Sequence, residues 1–369
     1  MPKLHRCNPW CSGLSAQFYI ESRTQSAERN APMTLDEAFM SEAIREAEKG
    51  VGRTHPNPAV GALIVAGRRV VARGWHKGAG HLHAEIEAVR NAKREALRGA
   101  TLYVTLEPCS THGRTPPCTE SIVEARFARV VYGATDPNPM HAGRARRILS
   151  SAGIEVSSGV LASRCAALNT AWNKWIATGM PFVTAKAAMT LDGRISSPPE
   201  RRWISSKASR QDVMRLRSRV QAILVGGETI RRDDPQLTVR GIRVSIQPLR
   251  IVWTKSGRLP KSAQIFTDEY KDRTVVFSNA SLRSVLCDLG RRGVASVLVE
   301  GGARVLGEAF DRSLVDEVYF YLAPMVTGGP VPSVGGRGVA DVQSAIDLER
   351  PVFRRIGEDV RLTAAVLRK

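Results

Sequence analysis

No apolar run in this sequence approaches the roughly 20 residues that span a bilayer, so a transmembrane helix is excluded. The first 32 residues lack an apolar signal core, which argues against secretion. Cysteine is sparse: six in 369 residues, irregularly spaced, as expected of a reducing cytoplasm rather than a disulfide framework. Acid is short as well, with 35 Asp and Glu against 54 Lys and Arg and a formal net charge of +19. That excess is spread along the chain instead of forming a tail or stripe. A diffuse basic surface draws phosphorylated metabolites as readily as nucleic acid, so charge alone selects no partner. Internal repeats and low-complexity tracts are absent. What remains, 43% hydrophobic and 24% charged, is globular and long enough for two domains.

Against this background one constellation stands out: His83-Ala84-Glu85, then Pro108-Cys109, then Cys118. One imidazole and two thiolates are the donor set with which zinc nucleobase deaminases hold their metal, leaving the fourth position to water. The metal lowers the pKa of that water, and a Glu that is not a ligand carries protons from it to the departing amine. Here that Glu is Glu85. An isolated HxE triplet is common, and a buried Cys is usually inert. Local context decides. Thr101–Leu106 reads as a strand, so Cys109 lies just past its end. His83 opens an amphipathic helical run, 83–97, with Ile86, Val89 and Leu97 on its apolar side. Cys118 opens another, 119–125, after Pro116-Pro117. Two ligands at helix N-termini gain from the dipole. His5, Cys7 and Cys11 form a weaker metal set in a segment without periodicity, while Cys165 and Cys287 read as buried thiols.

The organisation is α/β throughout. Residues 1–32 form an extension, disordered or an over-called start, before a capping box at Thr34-Leu35-Asp36-Glu37. A first domain is expected over 33–160, with strands at 62–66, 70–72, 101–106, 130–133 and 154–156 and helices at 83–97, 119–125 and 143–152. Residues 161–180 read as a helical connector, one helix from Leu161 to Thr178 ended by Gly179. A second domain, 181–369, carries strands at 182–188, 222–225, 250–253, 274–277, 296–299 and 317–322, with helices at 207–219, 281–292 and 303–312. In it, Val299-Glu300-Gly301-Gly302 joins a strand to a helix, as a phosphate cradle does, though a plain tight turn has the same sequence. Lys186 in an apolar strand calls for an acidic or phosphate partner.

With these residues in view, the chain resembles the bifunctional deaminase–reductases of riboflavin biosynthesis over residues 34–369. The first half matches in Thr54-His55-Pro56-Asn57-Pro58, in the HAE triplet, and from Glu107-Pro108-Cys109 to Pro117-Cys118. Eight residues separate those cysteines, against two in cytidine and tRNA adenosine deaminases. Asp136-Pro137-Asn138-Pro139 fits too. The second half matches from Lys186 to Arg194, in Trp203-Ile204-Ser205, in Asp233-Asp234-Pro235 through Arg240, and in Glu300-Gly301-Gly302. The resemblance implies a cytidine-deaminase-like N-terminal domain and a dihydrofolate-reductase-like C-terminal domain. It implies zinc-dependent deamination of a phosphorylated diaminopyrimidinone, then NADPH-dependent reduction of its ribosyl chain. By motif position, Asn57, His76 and Arg114 contact the deaminase substrate. Lys186, Arg201, Arg217, Leu237, Arg240 and Glu300 contact the reductase substrate, and a guanidinium such as Arg217 or Arg240 suits its phosphate. Ala188, Trp203, Thr229 and Asp233 fall to NADPH. So does the run Gly302, Ala303, Arg304, Val305, Leu306, Gly307 and Glu308. One zinc ion per chain, a small-molecule substrate, a cytoplasmic homo-oligomer and no membrane or nucleic-acid partner are expected.

Three departures from the family pattern bear on the pockets. Position 87 is Glu where His is usual, position 111 is Thr where His is usual, and Thr254-Lys255 stands where an Asp commonly ends a strand. The first two leave zinc and Glu85 intact and alter the substrate pocket's polarity; Lys255 is read as facing solvent or the cofactor's 2′-phosphate. Two other readings compete. A chain with one working activity would release ammonia without reduction, or the reverse. A nucleic-acid-directed zinc deaminase, favoured by charge only, leaves the second half without a purpose.

Overall fold

The computed structural model describes residues 33–112, 116–139, 141–195 and 203–367. The extension with His5, Cys7 and Cys11, and the expected substrate contacts Arg114 and Arg201, lie outside the described residues. Among those described, thirteen strands form one sheet of five and one of eight. No helix among them is long and apolar enough to cross a membrane.

Helix α1 (Leu35–Glu48) starts as its capping box predicts. The Thr34 hydroxyl accepts from Glu37 N–H, and the Glu37 carboxylate accepts from Thr34 N–H. Then follow β1 (Gly61–Ala66), β2 (Arg69–Trp75), α2 (Ala84–Asn91), β3 (Thr101–Leu106), α3 (Cys118–Glu124), β4 (Arg129–Ala134), α4 (Arg144–Ser151) and β5 (Glu155–Ser158). The strand order is β2-β1-β3-β4-β5, antiparallel up to β3 and parallel beyond it. Alternation sorts β1 between two cores: Ala62 and Ile64 pack with α2, Leu63 and Val65 with α1. Two glycines let the helices approach. A Cβ at Gly61 would collide with the Ala43 carbonyl of α1, and one at Gly74 with the Ala84 carbonyl of α2.

Two expected helices are cut short by side-chain amides. The helix expected over 83–97 stops at Asn91, whose Nδ2–H donates to the Arg73 carbonyl at 2.9 Å. Leu97 still reaches the core through a single 3₁₀ turn. The connector is two helices, α5 (Ala162–Ala167) and α6 (Thr170–Thr178), broken at Asn169. The buried Asn169 amide accepts from Ala59 N–H at 2.7 Å and donates to Ala59 C=O at 2.8 Å, the way a strand partner would. Cys165 and Trp172 bury in the first sheet's core. From the same segment, Trp175 Nε1–H donates to Gly290 C=O at 2.9 Å and Lys174 pairs with Asp316 at 2.5 Å.

The second sheet runs β6 (Phe182–Thr190), α7 (Lys207–Arg217), β7 (Ala222–Gly226), α8 (Gly227–Asp233), β8 (Leu249–Thr254), α9 (Gln264–Thr267), β9 (Thr274–Ser278), α10 (Leu282–Arg291), β10 (Ser296–Val299), α11 (Ala303–Asp311), β11 (Glu317–Ala323), β12 (Leu348–Ile356) and β13 (Asp359–Val366). Its order is β12-β13-β11-β6-β10-β7-β8-β9, parallel from β11 to β9. The antiparallel β12–β13 hairpin is absent from the sequence expectation. β12 is an exposed edge strand, and Pro351 sits where its register slips between Glu349 and Val352. An edge bulge needs no ladder N–H from that residue, and one solvated face removes the alternation that would mark a strand. Because β10 inserts between β6 and β7, the carboxyl ends of these three strands meet, the position where open α/β sheets bind ligands.

A candidate zinc centre and a candidate reductase site

His83 caps α2, Cys109 follows β3, and Cys118 opens α3, so two helix N-termini and one strand end converge. Their donor atoms all lie within 4.8 Å of one another. His83 Nδ1 is 3.1 Å from Cys118 Sγ and 3.5 Å from Cys109 Sγ, and Cys118 N–H donates to Cys109 Sγ at 3.2 Å. The Cys118 thiol, and after it His83, hold the Cys109 thiol down at about 4, while Cys109 pushes His83 up to about 9. Cys109 therefore has thiolate character. One imidazole and two sulfurs, with no fourth His, Cys or carboxylate in the group among the described residues, fit zinc in its catalytic form. Glu85 is 4% exposed and within hydrogen-bond reach of Cys118; burial raises its pKa.

Asn57 and His76 come together beside this group. The His76 ring meets the His83 ring edge-on at 5.5 Å. His76 Nδ1 lies 2.9 Å from the Leu82 carbonyl, which only accepts, so Nδ1 carries the proton. Nε2 is then the acceptor for Asn57 Nδ2–H at 3.0 Å, leaving Asn57 Oδ1 available to a substrate N–H. Burial lowers the His76 pKa and favours this neutral form.

Two positioning residues escape the sequence reading. Glu107, between β3 and Cys109, accepts from the backbone N–H groups of Asp136, Gly143 and Ala145 at 3.3, 3.0 and 3.1 Å, tying those residues to the segment that carries Cys109. Asn169 fixes Ala59, two residues beyond Asn57. Neither has a local signal, because their partners are backbone groups of distant segments. At the departures, Glu87 pairs with Lys77 at 2.6 Å, and Thr111 Oγ1 lies 3.4 Å from His141 Nδ1. An imidazole thus stands beside position 111, supplied by another loop. Thr254 is buried against Gly227, and Lys255 is exposed.

In the second sheet, alternation turns Val183, Ala185 and Ala187 into the core and leaves Lys186 on the opposite face. β10 pairs Val299 with Ala185, so Glu300 falls beside Lys186, Oε2 to Nζ 3.7 Å. Arg217, ending α7, closes on Glu300 with two parallel bonds of 2.7 and 3.0 Å and donates to the Thr238 carbonyl at 3.0 Å. Burial pushes Glu300 up, but Arg217 and Lys186 outweigh it and hold the carboxyl at about 2. Burial likewise pushes the Lys186 ammonium down against the pull of Glu300. Burial and the Arg217 charge lower the Arg240 pKa against the pull of Glu300, and Arg240 donates to Gln236 Oε1 at 2.8 Å. Leu237 differs: with φ +53, its side chain packs in the core with Ile223 and Val225, so only its backbone faces outward.

For the cofactor, Gly302 caps α11 with open space where a Cβ would stand. Ala303 and the exposed Arg304 complete the outward turn. Val305, Leu306 and Gly307 are buried instead, Leu306 in the core and Gly307 against the Gly335 backbone. A helix shows one face outward, so seven consecutive contacts cannot all be made by side chains; Glu308 pairs with Arg312 at 3.0 Å. Ala188 nears the end of β6, Thr229 lies in the first turn of α8 and Asp233 ends it. Trp203 is exposed, with the Arg210 guanidinium 4.9 Å from its ring centre.

Residues 33–134 match the family model of the cytidine and deoxycytidylate deaminase zinc-binding region, and residues 181–362 that of the RibD C-terminal domain. The riboflavin biosynthesis protein RibD of Bacillus amyloliquefaciens is 38% identical, over 89% of this chain and 96% of its own length. The chain belongs to the RibD family. The RibD of Escherichia coli is 36% identical, over 89% of this chain and 98% of its own length. Among solved structures, Acinetobacter baumannii RibD superposes with a TM-score of 0.84 at 34% identity, covering 90% of this chain and 99% of that one. A Thermotoga maritima structure described as a diaminohydroxyphosphoribosylaminopyrimidine deaminase/5-amino-6-(5-phosphoribosylamino)uracil reductase gives 0.82 at 34% identity, with the same coverage. The two-domain α/β architecture expected from the sequence, deaminase-like then reductase-like, is therefore that of the RibD family.

Proposed function

We propose that this chain catalyses two consecutive steps of riboflavin biosynthesis. The first unit removes the ring amino group of 2,5-diamino-6-ribosylamino-4(3H)-pyrimidinone 5′-phosphate by hydrolysis. The second reduces the ribosyl chain with NADPH, giving 5-amino-6-(5-phosphoribitylamino)uracil. The observation that carries the reading is the convergence of His83, Cys109 and Cys118 beside a buried Glu85. Zinc held by those three residues supplies Lewis acidity that brings water's pKa towards neutrality. Glu85 moves the proton, from the attacking water to the ring nitrogen and then to the leaving ammonia. Asn57, oriented by His76, offers its Oδ1 to the pyrimidine edge.

In the second unit the first turn of α11 and the end of β6 would hold NADPH, which would supply the hydride that reduces the open-chain imine carbon. Lys186 and Glu300 would flank the sugar. With the Arg217 fork filled by Glu300, Arg240 is the guanidinium we assign to the substrate phosphate. We place both reactions in the cytoplasm, on the sparse cysteines, of which the four among the described residues are unpaired, in a homo-oligomer without nucleic acid.

Glu85→Gln tests the assignment. The amide cannot shuttle protons, so ammonia release should fall about 10²–10⁴-fold with zinc retained. Full deaminase turnover by the zinc-loaded variant would remove Glu85 from the mechanism.

A further inference from the structure

A cavity of about 390 Å³ lies between the two units and shares only Arg217 with the sites described above. That volume falls among small-molecule pockets, roughly 300–1,000 Å³. One wall is the turn after α1, residues 48–53; the other is the turn after α7, residues 217–220, with the loop 242–248 before β8. The walls touch at Gly52, whose left-handed backbone (φ +79) brings it so close to Ser218 that a Cβ would stand 2.9 Å from that carbonyl.

The lining is unevenly charged: Lys49, Arg53, Arg217, Arg219 and Arg243 against a single carboxylate, Glu48. Lys49 is taken by Glu46 and Arg217 by Glu300. Arg53, Arg219 and Arg243 have no acidic partner among the described residues. Three exposed arginines from three segments line one cavity and make it basic, and a basic cleft concentrates anions. Their planar forks suit the paired oxygens of a phosphate. Each wall also adjoins a site. Thr54, next to Arg53, holds the Asn57 carbonyl through its hydroxyl at 2.9 Å. Across the cavity, Arg217 holds Glu300.

We propose that this cleft is a phosphate-ester site, occupied by the phosphorylated pyrimidine that leaves the deaminase and enters the reductase. The inference rests on the two-reaction reading above. Deamination alters the ring and reduction alters the sugar carbon, so the phosphate is the group that neither reaction touches and by which the intermediate can be held.

The test compares zinc-loaded full-length protein with the double variant Arg219→Glu, Arg243→Glu, which leaves every assigned site residue in place. A milder pair, Arg219→Gln with Arg243→Gln, guards against misfolding and should move in the same direction. Ribose 5-phosphate and inorganic phosphate are titrated calorimetrically. One class of ribose 5-phosphate sites should weaken about tenfold or more in the variants, the scale of one charge-assisted contact. From the diamino substrate, the variants should also show a longer lag before NADPH consumption, while each reaction supplied with its own substrate keeps its kcat. Equal affinities and equal lags would overturn the proposal. So would inorganic phosphate binding as tightly as the sugar phosphate, since free phosphate would then be the occupant. If the unaltered protein lacks either separate turnover, the two-reaction reading fails instead, and the calorimetric comparison still decides whether the cleft binds a phosphate ester.

Discussion

Four side chains whose types are dictated by chemistry carry the deaminase reading. A soft divalent cation wants imidazole and thiolate donors, and proton transfer wants a carboxylate that is not one of them. Those demands make His83, Glu85, Cys109 and Cys118 readable in the sequence. The Arg217–Glu300–Lys186 group is only half readable: Lys186 announces itself by breaking an apolar strand, whereas the closure of Arg217 on Glu300 depends on where α7 ends. That closure has a measurable consequence. Because folding depresses the Glu300 pKa from 4.5 to about 2, the stabilisation is complete above the unfolded value and drains away as pH falls through the folded one. Glu300→Gln, which strips the counter-charge from two buried cations, should cost about 3 kcal/mol near neutral pH. Urea unfolding should show the gap to the unaltered protein narrowing as pH is lowered from about 6 to about 3. A gap independent of pH would mean that the carboxylate's charge contributes nothing there.

Elements were legible where the pattern is local. The capping box starts α1 at its predicted residue, and alternation or continuous apolar runs mark β3 and β10. The ends of α2 and α5 were not legible, since Asn91 and Asn169 stop them by bonding to the backbone of other segments. The β12–β13 hairpin was missed because its outer strand has little to bury. Gly74 shows how an element's placement reaches the site. It lets α2 lie on β2, and α2 presents His83 and Glu85. In Gly74→Ala the new methyl meets the Ala84 carbonyl and the Ala88 N–H group, so the helix must lift. The expected cost is about 1–3 kcal/mol, with a matching fall in zinc content by metal analysis. Unchanged zinc and stability would show that α2 has slack that the packing does not suggest.

On the scale of the whole molecule, each sheet has its own buried clusters, and α5–α6 joins them through Trp172, Trp175 and Lys174. Separate cores predict separable losses. Cys109→Ala should lose zinc and deamination, while NADPH-dependent reduction of the deaminated substrate persists; loss of both would mean that the metal organises the entire chain. The assignment of both reactions to this chain is tested most directly by stoichiometry. Given the diamino substrate and NADPH, the zinc-loaded protein should release one ammonia for each NADPH oxidised. Ammonia without NADPH oxidation, or oxidation without ammonia, would contradict the assignment of both reactions to this one chain.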